Sequence, residues 1–275
     1  VEIIHTIENF SRGNATTFHA AVDGFHASSN GELKASRKKV SDLLQLPTAP
    51  KRPSDWPQIV QPSTSPVHHP ETDTYLLKFM GADAACIMAS DRYLRHRSNT
   101  GSSASSNQPP QPRPYMNLCF GVPTNAAAFQ FLAYGAVFST LARFKWGCQM
   151  LHKNPEMFSK GCFCEGGPTE EEMSKTTFKT HCTAYGMTKD QVVKVICKGP
   201  EPGYIATPRM VVALALTVLR NRDSVPFSGG VMLPGAAFGD SKEVYAHLAT
   251  EGIVFEVAAN DDNDVGEVVN QANKV

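Results

Sequence analysis

Two short pairs, Cys162-x-Cys164 and His181-Cys182, are the first candidates for chemistry. Thiolate and imidazole groups can hold zinc, but structural zinc sites usually space paired cysteines by two or more residues, and neither pair does. No metal is assigned. Glycine-rich turns can cradle phosphate where they open a helix, and Gly229 to Gly235 is such a stretch, yet Pro234 and the preceding apolar helix suit a strand-and-turn packing element better. His19 and His26 share one helix face at a seven-residue spacing and read as surface or partly buried side chains. His68 and His69 fall among prolines, where solvated loop histidines are expected. Asp83 precedes a helical pattern and is read as its cap. The chain has no G-x-G-x-x-G after a strand, no GxxxxGK[ST], no H-E-x-x-H and no G-x-S-x-G. The catalytic residues are therefore left unknown.

The elements that would position a site are clearest near the C-terminus, at GPEPGYIATPRMVVALALTVL, residues 199 to 219. Thr207 followed by Pro208 supplies a hydroxyl cap and a proline at the first helical position. From Met210 to Leu219 the helix has almost no polar face and is expected to be sandwiched inside a larger body. Gly203, Tyr204, Thr207 and Pro208 then sit at a domain boundary, as candidate substrate or interface residues.

Composition narrows the function classes. Lys plus Arg and Asp plus Glu each number 26 in 275 residues, so no net field points to nucleic acid. Seven cysteines without regular spacing fit a reducing intracellular compartment or organelle better than a disulfide framework. Asn9-Phe-Ser11 and Asn14-Ala-Thr16 match the glycosylation pattern, which is short enough to arise by chance. The chain opens with Val1 and a strand-like VEIIHTIE, and reads as a piece of something longer.

Along the chain, Ile3, His5 and Ile7 alternate as in a strand, Arg12-Gly13-Asn14 turns, and a helix opens near Thr16 or Thr17. A helix that is basic on one side follows over 31–46. Residues 47–78 form a proline-rich strap, too irregular for core elements, and 98–114 (SNTGSSASSNQPPQPRP) form a low-complexity insert. Strands are expected near Ile3 to Glu8, Tyr115 to Val122, Thr177 to Tyr185 and Gln191 to Lys198, in one antiparallel sheet with helices on one face. The fold class is α+β. An acidic tail closes the chain over 261–275.

Tyr115 to Ala142 contains no charged residue, and Arg113, Arg143 and Lys145 flank it. The apolar helix read over 126–146 has three open readings: a membrane span, a helix facing lipid or a partner, or a helix buried in its own domain. Its aromatics Phe129, Phe131, Tyr134, Phe138, Phe144 and Trp146 favour an interface.

GPEPGYIATPRMVVALALTVL, followed by VPFSGGVMLPGAAFG and EGIVFEV, resembles the C-terminal signature of the saccharopine dehydrogenase-like oxidoreductases, the branch that includes trans-acting enoyl reductases. TTFHAAVDGF, KFMGADAACIMASDRYL and GCFCEGGPTEEEM resemble further family segments in the same order, from about Ile3 to Val257. The resemblance implies an inserted α+β domain over 1–198. It also implies a segment, 199–260, that returns to a Rossmann domain, where the apolar helix packs on the parallel sheet.

The glycine-rich cofactor half of the family is not found in these residues. The chain alone is expected to bind no nicotinamide cofactor, with NAD(P) entering only through an N-terminal Rossmann half. Two readings follow: the C-terminal region of an NAD(P)-dependent oxidoreductase, or a non-catalytic accessory subunit that has kept the fold. In both, the missing half or a protein partner covers helix 208–219, and 126–146 is a candidate for membrane or lipid contact.

Overall fold

A computed structural model describes residues 1–44, 54, 65–100, 115–186, 191–225 and 230–258. The chain begins with β1 (Glu2–Glu8), the short β2 (Gly13–Asn14), α1 (Ala15–Ser29) and α2 (Glu32–Leu44). A hairpin of β3 (Val67–His69) and β4 (Thr74–Lys78) leads to α3 (Asp83–Thr100), then β5 (Asn117–Val122), α4 (Asn125–Leu141), α5 (Lys145–Lys153) and α6 (Pro155–Phe158). After β6 (Phe163–Cys164) and α7 (Glu170–Lys175) come the long strands β7 (Thr177–Tyr185) and β8 (Val192–Pro200). A π-helical turn, Pro202–Ala206, runs into α8 (Thr207–Arg220), and α9 (Pro234–Phe238), α10 (Lys242–Thr250) and β9 (Val254–Ala258) follow.

Seven strands form one sheet in the order β3-β4-β5-β1-β7-β8-β9. The four strands expected from alternation all lie in it, and the α+β class holds. Every pairing in this sheet is antiparallel except β1 with β5, which run parallel. The long chain between those two strands leaves room for the crossover that a parallel pair needs. β1 is central, and Ile3, Ile4 and Thr6 are buried on both of its faces.

Register places the helices. Leu77 opposes Phe120, Phe120 opposes His5, His5 opposes Thr180, Thr180 opposes Cys197, and Cys197 opposes Phe255, so these side chains share one face. α4 lays Ala127, Ala128 and Leu132 on the Leu77, Phe120 and Val122 end of that face. α8 and α10 lay Ala213, Val244 and Leu248 against Phe178, Cys197 and Phe255 at the other end. Both helical covers are therefore on one face, as the alternation predicted. A second core forms beside the sheet, where Phe18 and Val22 of α1 meet Leu151 and Cys148 of α5, with Phe138 at the end of α4.

Several expectations change. The strap 47–78 contains β3 and β4, and Leu76 and Leu77 of β4 are core residues, because the prolines stop at Pro70 and a clean strand follows. Residues 45–53 and 55–64 lie outside the described residues. His68 and His69 lie on β3: His68 pairs with Asp73 at 3.1 Å, and His69 meets the Thr72 hydroxyl at 3.0 Å. The first helix is capped by Asn14, whose Oδ1 accepts from the Thr16 amide. Asn14 is thus half of a glycosylation pattern that is already engaged. Residues after Leu233 form α9, with Ala236 and Ala237 buried, instead of a strand. The insert begins as the last turn of α3, and 101–114 and the tail 261–275 lie outside the described residues. Within 199–258, β9 pairs antiparallel with β8 and extends the same sheet.

Candidate functional site

The junction leading into α8 is built on Glu201. Its backbone follows β8, and its side chain is 3% exposed. The carboxylate accepts the amides of Gly203 (2.9 Å), Tyr204 (2.6 Å) and Ile205 (3.1 Å), and the hydroxyl of Ser11 at 3.3 Å. Three orphan amides at a helical start are thereby satisfied by one buried anion placed at the positive end of the helix.

This overturns the cap expected at Thr207. α8 starts at Thr207 rather than Pro208, no side chain caps it at Ala206, and the Thr207 hydroxyl donates backwards to the carbonyl of Pro202 at 2.6 Å. The π-helical turn makes an extra cap unnecessary, because Glu201 has already closed the start. Sequence reasoning missed Glu201. The signal was there, an acidic residue immediately before Pro202-Gly203, but a π turn hides the usual cap spacing.

Three of the four predicted boundary residues meet around this turn. The Tyr204 hydroxyl accepts the Asn14 amide at 2.6 Å, which ties the α1 entrance to the α8 entrance across 190 residues of chain. Gly203 lies close against the carboxylate: a Cβ there would stand 3.2 Å from Glu201 Oε1, which would have to shift slightly. Thr207 closes the turn, and Pro208 lies exposed on the first turn of α8. The Tyr204 hydroxyl keeps its own proton for a further acceptor.

α8 is not sandwiched. Ala213 and Thr217 are buried against α10, where Thr217 Oγ1 meets His247 Nδ1 at 2.7 Å. On the outer side Val211 is 62%, Val212 52% and Leu219 78% exposed. Pro202 to Arg220 is also, among the described residues, the one helix long and apolar enough by length and composition to cross a membrane.

The uncharged helix expected over 126–146 is two helices, broken between Leu141 and Lys145, where Gly147 packs against the Leu141 carbonyl too closely for any Cβ. Phe129 and Phe131 are each 56% exposed and Trp146 57%, while Tyr134 and Phe144 are also open. Phe144 and Trp146 stack with centroids 5.9 Å apart. Phe138, grouped with them from sequence, turns inward and meets Phe18 and Phe25 edge-on at 5.4 and 5.2 Å.

The remaining candidates are structural. The His19 ring lies 3.1 Å from the His152 carbonyl, joining α1 to α5, and the His26 ring lies 2.9 Å from the Ala142 carbonyl, joining α1 to the end of α4. His152 in turn pairs with Asp23 at 2.9 Å. Among the described residues no group of three histidine, cysteine or acidic side chains is placed to hold a metal ion. Burial pushes the thiols of Cys119 and Cys197 up to about 11, so neither is a ready nucleophile. Arg12 hydrogen-bonds the Glu172 carboxylate and, with the Thr169 amide, holds it down at about 2, inside a capping box that opens α7.

No protein-family profile and no solved structure matches the chain. A human saccharopine dehydrogenase-like oxidoreductase is 31% identical over 256 residues, covering 90% of this chain and 54% of the relative. A Caenorhabditis elegans lipid droplet localized protein is 27% identical over 265 residues, covering 90% of this chain and 57% of that protein. A probable mitochondrial saccharopine dehydrogenase-like oxidoreductase of Arabidopsis thaliana is 29% identical, covering 89% and 56%. The chain spans about half the length of the curated relatives it matches, and over nine-tenths of itself it is similar to the saccharopine dehydrogenase-like oxidoreductases.

Proposed function

We propose that these residues form the substrate-side region of an NAD(P)-dependent oxidoreductase, and that the outer face of α8 docks on a dinucleotide-binding unit formed by other residues. The observation that carries this reading is the row of Val211, Val212 and Leu219, exposed on a helix whose opposite side is well packed. Burying each large aliphatic side chain contributes ~1.5 to 3 kcal/mol, so such a row is stabilised by a covering surface. Gly203 and Tyr204 lie at the entrance of the same helix and would face that surface. The kinship with oxidoreductases supports the reaction class; the substrate class is left open.

Calorimetric titration of the 275-residue chain with NADH and NADPH is the test, with size-exclusion chromatography in the absence of detergent. The expected result is no heat of binding and self-association through α8, relieved by Val211→Asp with Leu219→Asp. Micromolar cofactor binding by a monomer overturns the proposal.

A second reading concerns the α4–α5 face. Its open aromatics Phe129, Phe131, Tyr134, Phe144 and Trp146 accompany the cations Arg143 and Lys145, the chemistry of a helix pair that rests on an anionic lipid surface. The relative named for lipid droplets is consistent with it. In a Trp56→Phe background, Trp146 fluorescence should shift to the blue when vesicles containing anionic phospholipid are added. An unchanged spectrum, with no flotation of the chain, overturns this reading.

A further inference from the structure

The second face of the sheet carries an arrangement that neither reading uses. Glu71, in the β3–β4 turn, reaches Lys194 on β8 at 2.7 Å, although β5, β1 and β7 lie between β4 and β8 in the sheet order. The hairpin tip is therefore folded back across the sheet as a roof. Beneath it lies one row of register partners: Asn117 on β5, Glu2 on β1, Thr183 on β7 and Lys194 on β8. His181 follows on the same face of β7, two residues along. His69, from the hairpin, lies near enough to act on the Glu2 carboxyl.

Glu2 is the odd member. It is 8% exposed as a residue, no side chain among the described residues donates a hydrogen bond to its carboxyl, and the carboxyl oxygens stay open enough for a ligand to reach them. The other charges have occupations: Glu71 is paired with Lys194, and the Val1 ammonium donates to the Tyr115 carbonyl at 2.6 Å. His181 is biased toward its neutral form by burial, then by the nearby Lys179. Burial likewise raises the Glu2 pKa, against the weaker pull of His69 and the chain terminus. A buried carboxyl without a donor is costly to keep, and a nitrogen cation with several N–H groups is the partner that removes the cost.

We infer that the roofed recess over β1, β7 and β8 binds the primary ammonium group of a small molecule, with Glu2 as its counter-ion. Thr183 and the His181 imidazole, which burial biases toward its neutral form, are the remaining acceptors, and the Glu71–Lys194 pair holds the roof in place. The site is separate from the α8 face, so it stands or falls independently of cofactor binding.

The test titrates the 275-residue chain with ethylammonium chloride at constant ionic strength and follows the His69 and His181 ring protons by NMR, with sodium and tetramethylammonium chlorides as controls. Ethylammonium should give saturable shifts that the controls do not. Glu2→Gln should weaken them at least ~10-fold, the usual consequence of losing a charge-assisted bond. Glu2→Gln should also melt no lower than the parent chain, because it removes an uncompensated buried charge. Shifts shared by all three salts, or a Glu2→Gln chain that titrates like the parent, overturn the inference. So does a marked drop in melting temperature for Glu2→Gln, which would mean that the carboxylate is already compensated.

Discussion

Helices α4 and α8 cover opposite ends of one sheet face, and both are mostly apolar, but they are held differently. α8 is fixed from its start, where Glu201 binds three amides, and along its inner side, where Thr217 bonds both the Ala213 carbonyl and His247. What it leaves open is aliphatic and β-branched. α4 starts from an ordinary threonine cap, in which Thr124 accepts the Ala127 amide, and touches the sheet chiefly through Ala127, Ala128 and Leu132, leaving most of its aromatics open. A rigidly anchored aliphatic row suits close packing against another protein surface. A loosely anchored aromatic face beside cations suits a softer boundary, where rings can adjust depth.

The comparison breaks first at the anchor. Glu201→Ala should destabilise the chain by about 2 kcal/mol or more in denaturant unfolding, because it strands three part-buried amides together. A loss below about 1 kcal/mol would show that the π turn holds itself. Next comes the second core: Leu151→Ala, at a fully buried position under α5, should cost ~2 to 5 kcal/mol, while Trp146→Ala on the same helix should fall within ~0.5 kcal/mol. Equal losses would mean that the exposed aromatics pack after all. Val211→Ser with Leu219→Ser should alter unfolding of the monomeric chain by less than ~1 kcal/mol yet abolish its self-association in chromatography.

The smallest effect is at Glu172. Its folded pKa is depressed to about 2 by Arg12, so its contribution is present above the ordinary carboxylate range and is lost as pH falls through about 4 toward 2. Glu172→Gln should flatten that part of an acid-unfolding profile and leave neutral pH nearly unchanged. The pair is exposed, which keeps the effect modest.

The strands were legible because β1, β5, β7 and β8 carry strong alternation or continuous apolar runs, and α8 because its apolar run is long. β3 and β4 were hidden by the prolines that precede them, since composition over 47–78 outweighed five residues of good strand, TYLLK. The break after Leu141 was hidden for the opposite reason: nothing in the local residue types forbids a continuous helix, and the turn is set by Gly147 packing on Leu141. Thr207 looked like a cap because Thr-Pro is a good local signal, and it lost to a carboxylate six residues earlier whose geometry depends on a π turn. Glu2, in VEIIHTIE, reads as the polar member of an alternating strand. Only the folded-back hairpin makes it a buried charge.

The π turn at Pro202–Ala206 also sets the phase of everything after it. A π turn carries one residue more than the α-helix it interrupts, and one residue corresponds to about 100° of helical rotation. Deleting a single residue between 202 and 206, with Glu201 still anchored, would therefore rotate α8 about its own axis. Val212 and Leu219 would turn from their present heading, Ala213 would leave its apolar cluster with Val244 and Leu248, and Thr217 would leave its contact with His247. The azimuth of the exposed aliphatic row is thus encoded by the length of a five-residue turn, and insertions or deletions there would switch which surface α8 presents without changing one residue of the helix.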